Sequence, residues 1–335
     1  MAAPPSLSPR VASPPVSRGG IGLAQGRYGV RGNLELVLCD EDDGLWVLWF
    51  NSDPQDTAPA PGGPPPGEWS GALRFATGRR YDDVGVLQSR HGPHHLELTA
   101  RCGDSSHRLR WSPEAAFTTE PPPPGGPARA VTATETANGT LWTGFLGTDG
   151  EPRLLRADTS AYPHLTWSDA TPAHHLLTDS RWTAMALVAL RDGAGARPGV
   201  VLTGDREGRY LSPTGDTHPV PAGTVTTAVA QDDGDGDGDG ARIYVWSEGP
   251  WLDVLTPGHP GPTRRLALPG SGDVTALAAT PISYEPGRTD LVVRRGGQLW
   301  HLRDTGPDGA TPAATALMSR LTPAPDDEPR PVHRG

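Results

Sequence analysis

The 335-residue sequence lacks several features that would place it in a common class of proteins. It contains no run of about 18 apolar residues, so it predicts no transmembrane helix and no membrane insertion. It has no cluster of basic residues, and its formal net charge is −10. That charge argues against nucleic acid or an anionic membrane surface as the partner.

Cysteine is scarce too, because Cys39 and Cys102 are the only two. Two cysteines do not make the disulfide framework of a small secreted domain, so we expect two buried free thiols. Residues 1–18 are rich in Pro and Ser and have no apolar signal-peptide core, which predicts a disordered tail. For the sequence as written we expect a cytoplasmic location, or an extracellular one if an upstream signal precedes it.

Glycine and proline, in contrast, are abundant, with 43 and 38 residues. Both residue types break helix interiors, so a helical protein is disfavoured. No segment keeps helical periodicity over 12 residues, whereas short runs of alternating apolar residues recur. The sequence therefore predicts an all-β fold with many short strands and tight turns.

One hairpin pattern near the N-terminus recurs along the chain. It consists of the two alternating apolar runs 32–39 and 44–50, joined by an acidic turn. His95-Leu-Glu-Leu98 repeats Asn33-Leu-Glu-Leu36, and segment 298–302 repeats segment 44–48. Predicted first strands begin near residues 21, 84, 130, 182, 225 and 274, which is a spacing of about 43 to 63 residues.

Four-stranded units at this period are typical of propeller blades. The sequence predicts a six-bladed β-propeller of four-stranded antiparallel blades over residues 19–323, followed by a disordered tail at 324–335. A pair of β-sandwiches is the main alternative. The blades are expected near residues 20–78, 83–121, 128–170, 180–221, 225–269 and 274–322. The fourth strand of the first blade is expected over Trp69–Thr77.

The first repeats resemble the lectin-type propellers of bacteria and fungi, including fucose-binding ones. The resemblance covers residues 20–112, fades afterwards and returns at Leu299-Trp-His301. Its motifs are Gly32-Asn-Leu-Glu35, Leu45-Trp-Val-Leu-Trp49, Trp69, Val86-Leu-Gln-Ser89 and Leu96-Glu97. The resemblance implies a propeller that binds carbohydrate between adjacent blades.

Sugar recognition requires an aromatic face for the apolar side of the ring and planar polar groups for the hydroxyls. The first two repeats supply both kinds of group in Glu35, Trp46, Trp49, Trp69, Gln88 and Glu97, with Arg27 or Arg90 as further donors. The alternative is structural. The tryptophans would then pack blade against blade, and the glutamates would tie loops together or lie on the outward polar face of a half-exposed strand.

The segment 232–240 alternates Asp and Gly, and it resembles the calcium loops of some propellers. Carboxylates at alternate positions, here Asp233, Asp235 and Asp237, can converge on one Ca²⁺ ion. The segment is not an EF-hand, because the twelfth position counted from Asp233 is Tyr244. We favour a flexible acidic loop, so calcium is the one cofactor considered and none is expected.

The sequence nominates no nucleophile and no general acid. The pairs His94-His95 and His174-His175 cannot chelate a metal locally, because adjacent strand residues point to opposite faces. We therefore predict a non-catalytic, lectin-like propeller whose partner is a glycan, as favoured by the Trp and Glu residues of the first two repeats. A protein-interaction scaffold is the second hypothesis, favoured by the loss of the repeat after residue 112. A glycan-acting hydrolase is the third.

Overall fold

The computed structural model describes residues 17–306 and 314–317, apart from residues 30, 57–62, 93, 173–181, 191–196 and 231–239. Asp233, Asp235, Asp237 and the pair His174-His175 therefore lie outside the described residues. The described residues form 24 β-strands. Among them, no helix is long and apolar enough to cross a membrane.

Each sheet takes four strands that are consecutive in the chain, paired in antiparallel order. Blade 1 contains β1 (Ser17–Gln25), β2 (Leu34–Asp40), β3 (Leu45–Phe50) and β4 (Leu73–Phe75). Blade 2 contains β5 (Asp83–Gln88), β6 (Leu96–Cys102), β7 (Ser105–Ser112) and β8 (Ala116–Glu120). Blade 3 contains β9 (Ala128–Glu135), β10 (Leu141–Gly147), β11 (Pro152–Asp158) and β12 (Thr166–Asp169).

The second half of the ring repeats this arrangement. Blade 4 contains β13 (Ala184–Val188), β14 (Gly199–Thr203), β15 (Gly208–Leu211) and β16 (Thr217–Val220). Blade 5 contains β17 (Val225–Ala230), β18 (Ala241–Trp246), β19 (Trp251–Leu255) and β20 (Arg264–Ala267). Blade 6 contains β21 (Val274–Pro281), β22 (Thr289–Arg295), β23 (Gln298–Asp304) and β24 (Ala314–Ala316).

The predicted six-bladed propeller is confirmed. The alternating apolar pattern predicts strands over residues 45–50, 199–203, 225–230, 241–246 and 251–255, and β3, β14, β17, β18 and β19 have these bounds. Other bounds differ from expectation, among them two in blade 1. β1 begins two residues before the expected domain start, and β4 is shorter than Trp69–Thr77. β4 ends where Ala76 adopts a positive φ of 51°, a conformation that does not continue a strand.

The hydrophobic core lies between blades, so that both faces of a blade are buried. Along β2, Leu36 and Leu38 pack against blade 6, whereas Val37 and Cys39 pack against blade 2. The second strands β10, β18 and β22 are buried along their whole length. A polar residue on such a strand therefore faces another blade and not solvent.

Both cysteines are free thiols, as expected. They belong to the same cluster between blades 1 and 2, where Cys39 is buried and Cys102 is partly buried. Burial raises the pKa of the Cys39 thiol, so this residue behaves as a small apolar side chain.

The inner strands β1, β5, β9, β13, β17 and β21 contact one another in a closed ring. In the described residues, blade 1 contacts blade 6 through packing and side-chain hydrogen bonds, and the two blades share no sheet. At this seam the Arg294 guanidinium donates to the Gly19 carbonyl and to Ser17 Oγ, and the Gln25 amide donates to Thr280 Oγ1 at 3.0 Å.

The inner strands approach most closely where small residues meet. At Gly85 on β5, an added Cβ would lie 2.9 Å from the Ala133 nitrogen and 3.1 Å from the Thr132 carbonyl carbon of β9. Backbone atoms cannot move aside as a flexible side chain can, so blades 2 and 3 can pack this closely only with glycine at this position.

We expect Gly85→Ala to lower the free energy of unfolding by about 1–3 kcal/mol, because the new methyl group forces two backbones apart. Gly261→Ala is the matched control, since an added Cβ there meets nothing within 4 Å. It should change stability by no more than about 0.5 kcal/mol. Denaturant titration of both variants measures the difference, and equal values would contradict the proposed packing of the inner ring.

Candidate functional site

Glu35 lies at the start of β2, on the face that packs against blade 2. The next residues on the same face, Val37 and Cys39, are fully buried in the cluster shared with that blade. Glu35 itself is only partly buried. Glu35 is therefore the polar residue next to the apolar side chains of Val37 and Cys39, and it lies at the edge of the cleft between blades 1 and 2.

The Glu35 carboxyl group has no partner in the part of the chain that the structure describes. Among the described residues, no side chain and no backbone amide donates a hydrogen bond to it or forms an ion pair with it. Burial without a compensating donor raises the pKa of Glu35 to about 8. The group is therefore mostly protonated at neutral pH and can both donate and accept a hydrogen bond.

Trp49 is the neighbour of Glu35 across the hairpin. The two residues pair directly in the β2–β3 ladder, so their side chains share one face. The Trp49 backbone is fixed by Ser70, whose Oγ accepts from the Trp49 amide at 2.9 Å. Within the described chain, its indole ring forms no aromatic, cation–π or hydrogen-bond contact. A partly buried indole ring thus lies beside an unpaired carboxyl group.

Blade 2 supplies the other wall of the cleft through Gln88. This residue continues the row of Val84 and Val86, which faces blade 1. Gln88 Oε1 accepts from the Arg27 amide at 3.2 Å, and its Nε2 donates to the His95 carbonyl at 2.8 Å. The Arg27 side chain is exposed at the same end of the cleft.

Gly26 leaves space next to Glu35. An added Cβ at this position would lie 3.1 Å from Glu35 Cγ and 3.2 Å from Glu35 Oε1. At Gly26 the loop between β1 and β2 therefore passes close to the carboxyl group with no side chain of its own.

Trp46 and Trp69 lie on the opposite face of blade 1, where they pack against the cluster shared with blade 6. The Trp46 indole donates to Asp40, and the Arg74 guanidinium lies 5.5 Å from its ring centroid. The Trp69 indole donates to His301 Nδ1 at 3.4 Å. Of the three predicted tryptophans, only Trp49 shares a face with Glu35.

Glu97 is the counterpart of Glu35 in blade 2, and it is enclosed. It is 5% exposed, and its carboxylate accepts from Arg108 Nε at 2.8 Å and from Arg108 Nη2 at 3.0 Å. The Tyr162 hydroxyl donates to it at 2.7 Å. Burial raises the pKa of Glu97, and the charge of Arg108 opposes that shift. The expectation of an outward polar face is wrong for Glu97, because blade 3 covers this side of blade 2.

Arg108 and Tyr162 were not found by sequence reasoning. The alternation His-Arg-Leu-Arg in β7 placed Arg108 on the Glu97 face and could have suggested the ion pair. Tyr162 comes from the β11–β12 connection of the next blade, and no local pattern points to it. Its ring stacks on His91 and His95, with centroids 5.0 Å and 5.9 Å away.

Arg90 forms hydrogen bonds between blades 2 and 3 and does not contribute to the cleft that contains Glu35. Its amide donates to Glu135 Oε2 at 2.8 Å, and its guanidinium donates to the Ala137 carbonyl at 2.5 Å. Of the two predicted arginine donors, Arg27 is the one at the cleft between blades 1 and 2.

No protein-family model matches the chain, and no curated protein matches its sequence. Solved structures do share its fold. AofleA from Arthrobotrys oligospora superposes with a TM-score of 0.63 at 10% identity, over 90% of this chain and 87% of that one. The SapL1 lectin in complex with alpha methyl fucoside gives 0.59 at 13% identity, over 90% and 97%. The fucose-specific lectin from Aleuria aurantia gives 0.57 at 12% identity, over 93% and 99%. The chain therefore has the fold of the fucose-lectin-like six-bladed propellers, as the sequence resemblance predicted.

The raised pKa of Glu35 predicts a pH dependence of stability. Between the ordinary pKa of 4.5 and the folded value of about 8, the folded state binds more protons than the unfolded state. The free energy of unfolding therefore falls as pH rises through this window, by at most about 1.4 kcal/mol per pH unit. We expect Glu35→Gln to match the parent near pH 4.5 and to be the more stable protein at pH 8.

Glu97→Gln is the matched control, because it leaves the buried Arg108 without its carboxylate. It should destabilise the protein by about 3–5 kcal/mol at neutral pH. Denaturant titrations at pH 4.5, 6, 7 and 8 separate the two effects. A parent and a Glu35→Gln variant with parallel pH profiles would mean that Glu35 ionises normally.

Proposed function

We propose that this protein is a non-catalytic, carbohydrate-binding propeller whose glycan site is the cleft between blades 1 and 2. The main support is the juxtaposition of the partly buried Trp49 ring with Glu35, whose carboxyl group has no hydrogen-bond or ion-pair partner among the described residues. A polar group that is partly desolvated and unpaired is costly to the fold, so a ligand that supplies the missing hydrogen bond gains that energy.

The chemistry of the cleft suits a sugar ring. The apolar face of a pyranose stacks on Trp49, while one of its hydroxyl groups donates to Glu35. Gln88 is a polar group of the opposite wall, and the exposed Arg27 side chain lies at the same end of the cleft. A hydrogen bond to a charged group contributes about 1.5–3 kcal/mol, which corresponds to roughly ten- to a hundredfold in affinity.

The solved structures of the same fold give independent support. Three of them are lectins by name or bind a fucoside in the crystal, namely SapL1, BP39L from Burkholderia pseudomallei and the Aleuria aurantia protein. Their identities to this chain are 12–13%, so the glycan it binds has to be found by experiment.

A protein-interaction scaffold is the alternative function. Within the described parts of the chain, the exposed large hydrophobic residues are Tyr28, at 53%, and Trp251, at 46%. They belong to blades 1 and 5, which are not adjacent, so they do not form one apolar docking patch. The scaffold thus has less support than the glycan site.

A glycan array followed by calorimetry tests the proposal. At pH 8, Glu35→Gln should weaken binding ten- to a hundredfold, and Trp49→Ala should weaken it at least tenfold, because each removes one half of the site. Trp46→Ala is the matched control, since Trp46 lies on the same strand but faces blade 6. It should lower the melting temperature and leave the affinity per folded molecule unchanged. Binding of no glycan by the parent would refute the proposal.

The affinity should also depend on pH. A sugar hydroxyl that donates to Glu35 favours the ionised form, so binding lowers the pKa of Glu35 and releases a proton. We therefore expect the dissociation constant of the parent to fall between pH 6 and pH 8, by at most tenfold per pH unit. The Glu35→Gln variant should show no such trend. An affinity that decreases over the same range would instead make Glu35 a hydrogen-bond donor to the sugar.

A further inference from the structure

Glu35 occupies one of six equivalent positions around the ring. Each position lies at the start of the second strand of a blade, and its side chain or Cα faces the following blade. The strand registers and the inter-blade clusters identify the other five as Glu97, Trp142, Gly199, Arg242 and Asp290. In blade 1, Glu35 pairs with Ala24 of the inner strand β1. In each of the other blades, the equivalent residue likewise pairs with a residue of the inner strand.

Apolar packing closes two of these positions. Trp142 is fully buried in the cluster between blades 3 and 4. At Gly199 an added Cβ would lie 2.6 Å from the ring and the hydroxyl of Tyr210, so the fully buried tyrosine fills this position. Neither cleft has space for a ligand at the position that corresponds to Glu35.

Ion pairs and hydrogen bonds within the chain close two more positions. Arg242 donates to the Gly287 carbonyl at 3.1 Å and lies 3.4 Å from Asp304 Oδ2. Asp290 accepts from Arg288 at 2.8 Å on both oxygens, and His301 Nε2 lies 3.2 Å away. Both charged groups are buried and already have partners.

The position in blade 2 is closed in a different way. Tyr162 reaches across from blade 3, and its hydroxyl donates to Glu97 while its ring lies against His91 and His95. These are the two contacts expected of a sugar at Glu35, namely a hydroxyl on the carboxylate and a ring on an aromatic surface. The β11–β12 connection that carries Tyr162 has seven residues, 159–165, whereas the corresponding β7–β8 connection has three, 113–115, and places no side chain on Glu35.

We propose that the chain carries one open glycan site, and that Tyr162 fills the equivalent cleft between blades 2 and 3 as an internal ligand. This inference rests on the proposed function of the cleft between blades 1 and 2. A chain with one site binds a single glycan terminus and does not cross-link glycans, in contrast to a propeller with a site at every blade.

Calorimetric stoichiometry tests this inference, with soluble methyl glycosides as probes and α-methyl fucoside as the first. We expect the parent to bind one molecule per chain. In the Glu35→Gln variant this binding should weaken, and no binding at another site should be detected. Tyr162→Phe keeps the ring and removes only the hydroxyl, so it should leave the stoichiometry and the dissociation constant unchanged. Two or more molecules per chain, or a Tyr162→Phe variant with altered affinity per folded molecule, would overturn the inference and leave the proposed lectin function standing.

Tyr162→Ala removes the internal ligand, so a second, weaker binding event should appear and the stoichiometry should approach two. Adding Glu97→Gln to this variant should abolish the second event only. Tyr162→Ser is a second variant in case the alanine variant does not fold. A folded Tyr162→Ala or Tyr162→Ser protein with a single site would overturn the role of Tyr162. Absence of binding by the parent to every glycoside would overturn the proposed function itself, and this inference with it.

Discussion

Every blade of this propeller is covered by a neighbouring blade on both faces. This constraint determines at which positions polar side chains can lie without losing their hydrogen bonds. A charged residue buried between two blades is shielded from solvent, so it needs a partner inside the interface. The partners are arginine and aromatic hydroxyl groups: Arg108 and Tyr162 on Glu97, and Arg242, Arg264 and Tyr244 on Asp304. The chain has no lysine, so every such cation is a planar guanidinium that can make two parallel hydrogen bonds to a carboxylate.

Glu35 is the exception to this pattern. It stands at a position where the other charged residues are paired, yet the described chain gives it no donor. The difference begins at the strand level, because the residue that corresponds to Arg108 in blade 1 is Val47. It is completed by the short connection in blade 2, which does not reach across as the Tyr162 loop does. These two local differences between neighbouring repeats explain why the cleft at Glu35 is open and the cleft at Glu97 is closed.

The strands were predictable because their signals are local. Alternating apolar runs between Gly and Pro turns gave the bounds of β17, β18 and β19, and the repeat period gave the number of blades. Which face of a strand meets which neighbour was not predictable, because alternation separates two faces without saying what covers either one. Tyr162 was beyond reach for this reason, since it meets Glu97 across 65 residues of chain. Trp46 and Trp49, in contrast, are three residues apart on one strand, so the alternation of faces could have excluded a common site for them.

The seam between blades 6 and 1 differs from the other five interfaces in one respect: within the described residues, no segment of the chain connects the two blades. Adjacent blades elsewhere are tethered by the chain, whereas blades 1 and 6 are held by packing and by hydrogen bonds such as those of Arg294 and Trp69. Separating two tethered blades still leaves them at a high effective concentration, but separating the seam does not. The ring therefore has a defined opening point, where local unfolding can begin without breaking a single strand pairing. Such an opening would remove the contact of blade 1 with blade 6, and blade 1 is the blade that carries Glu35 and Trp49.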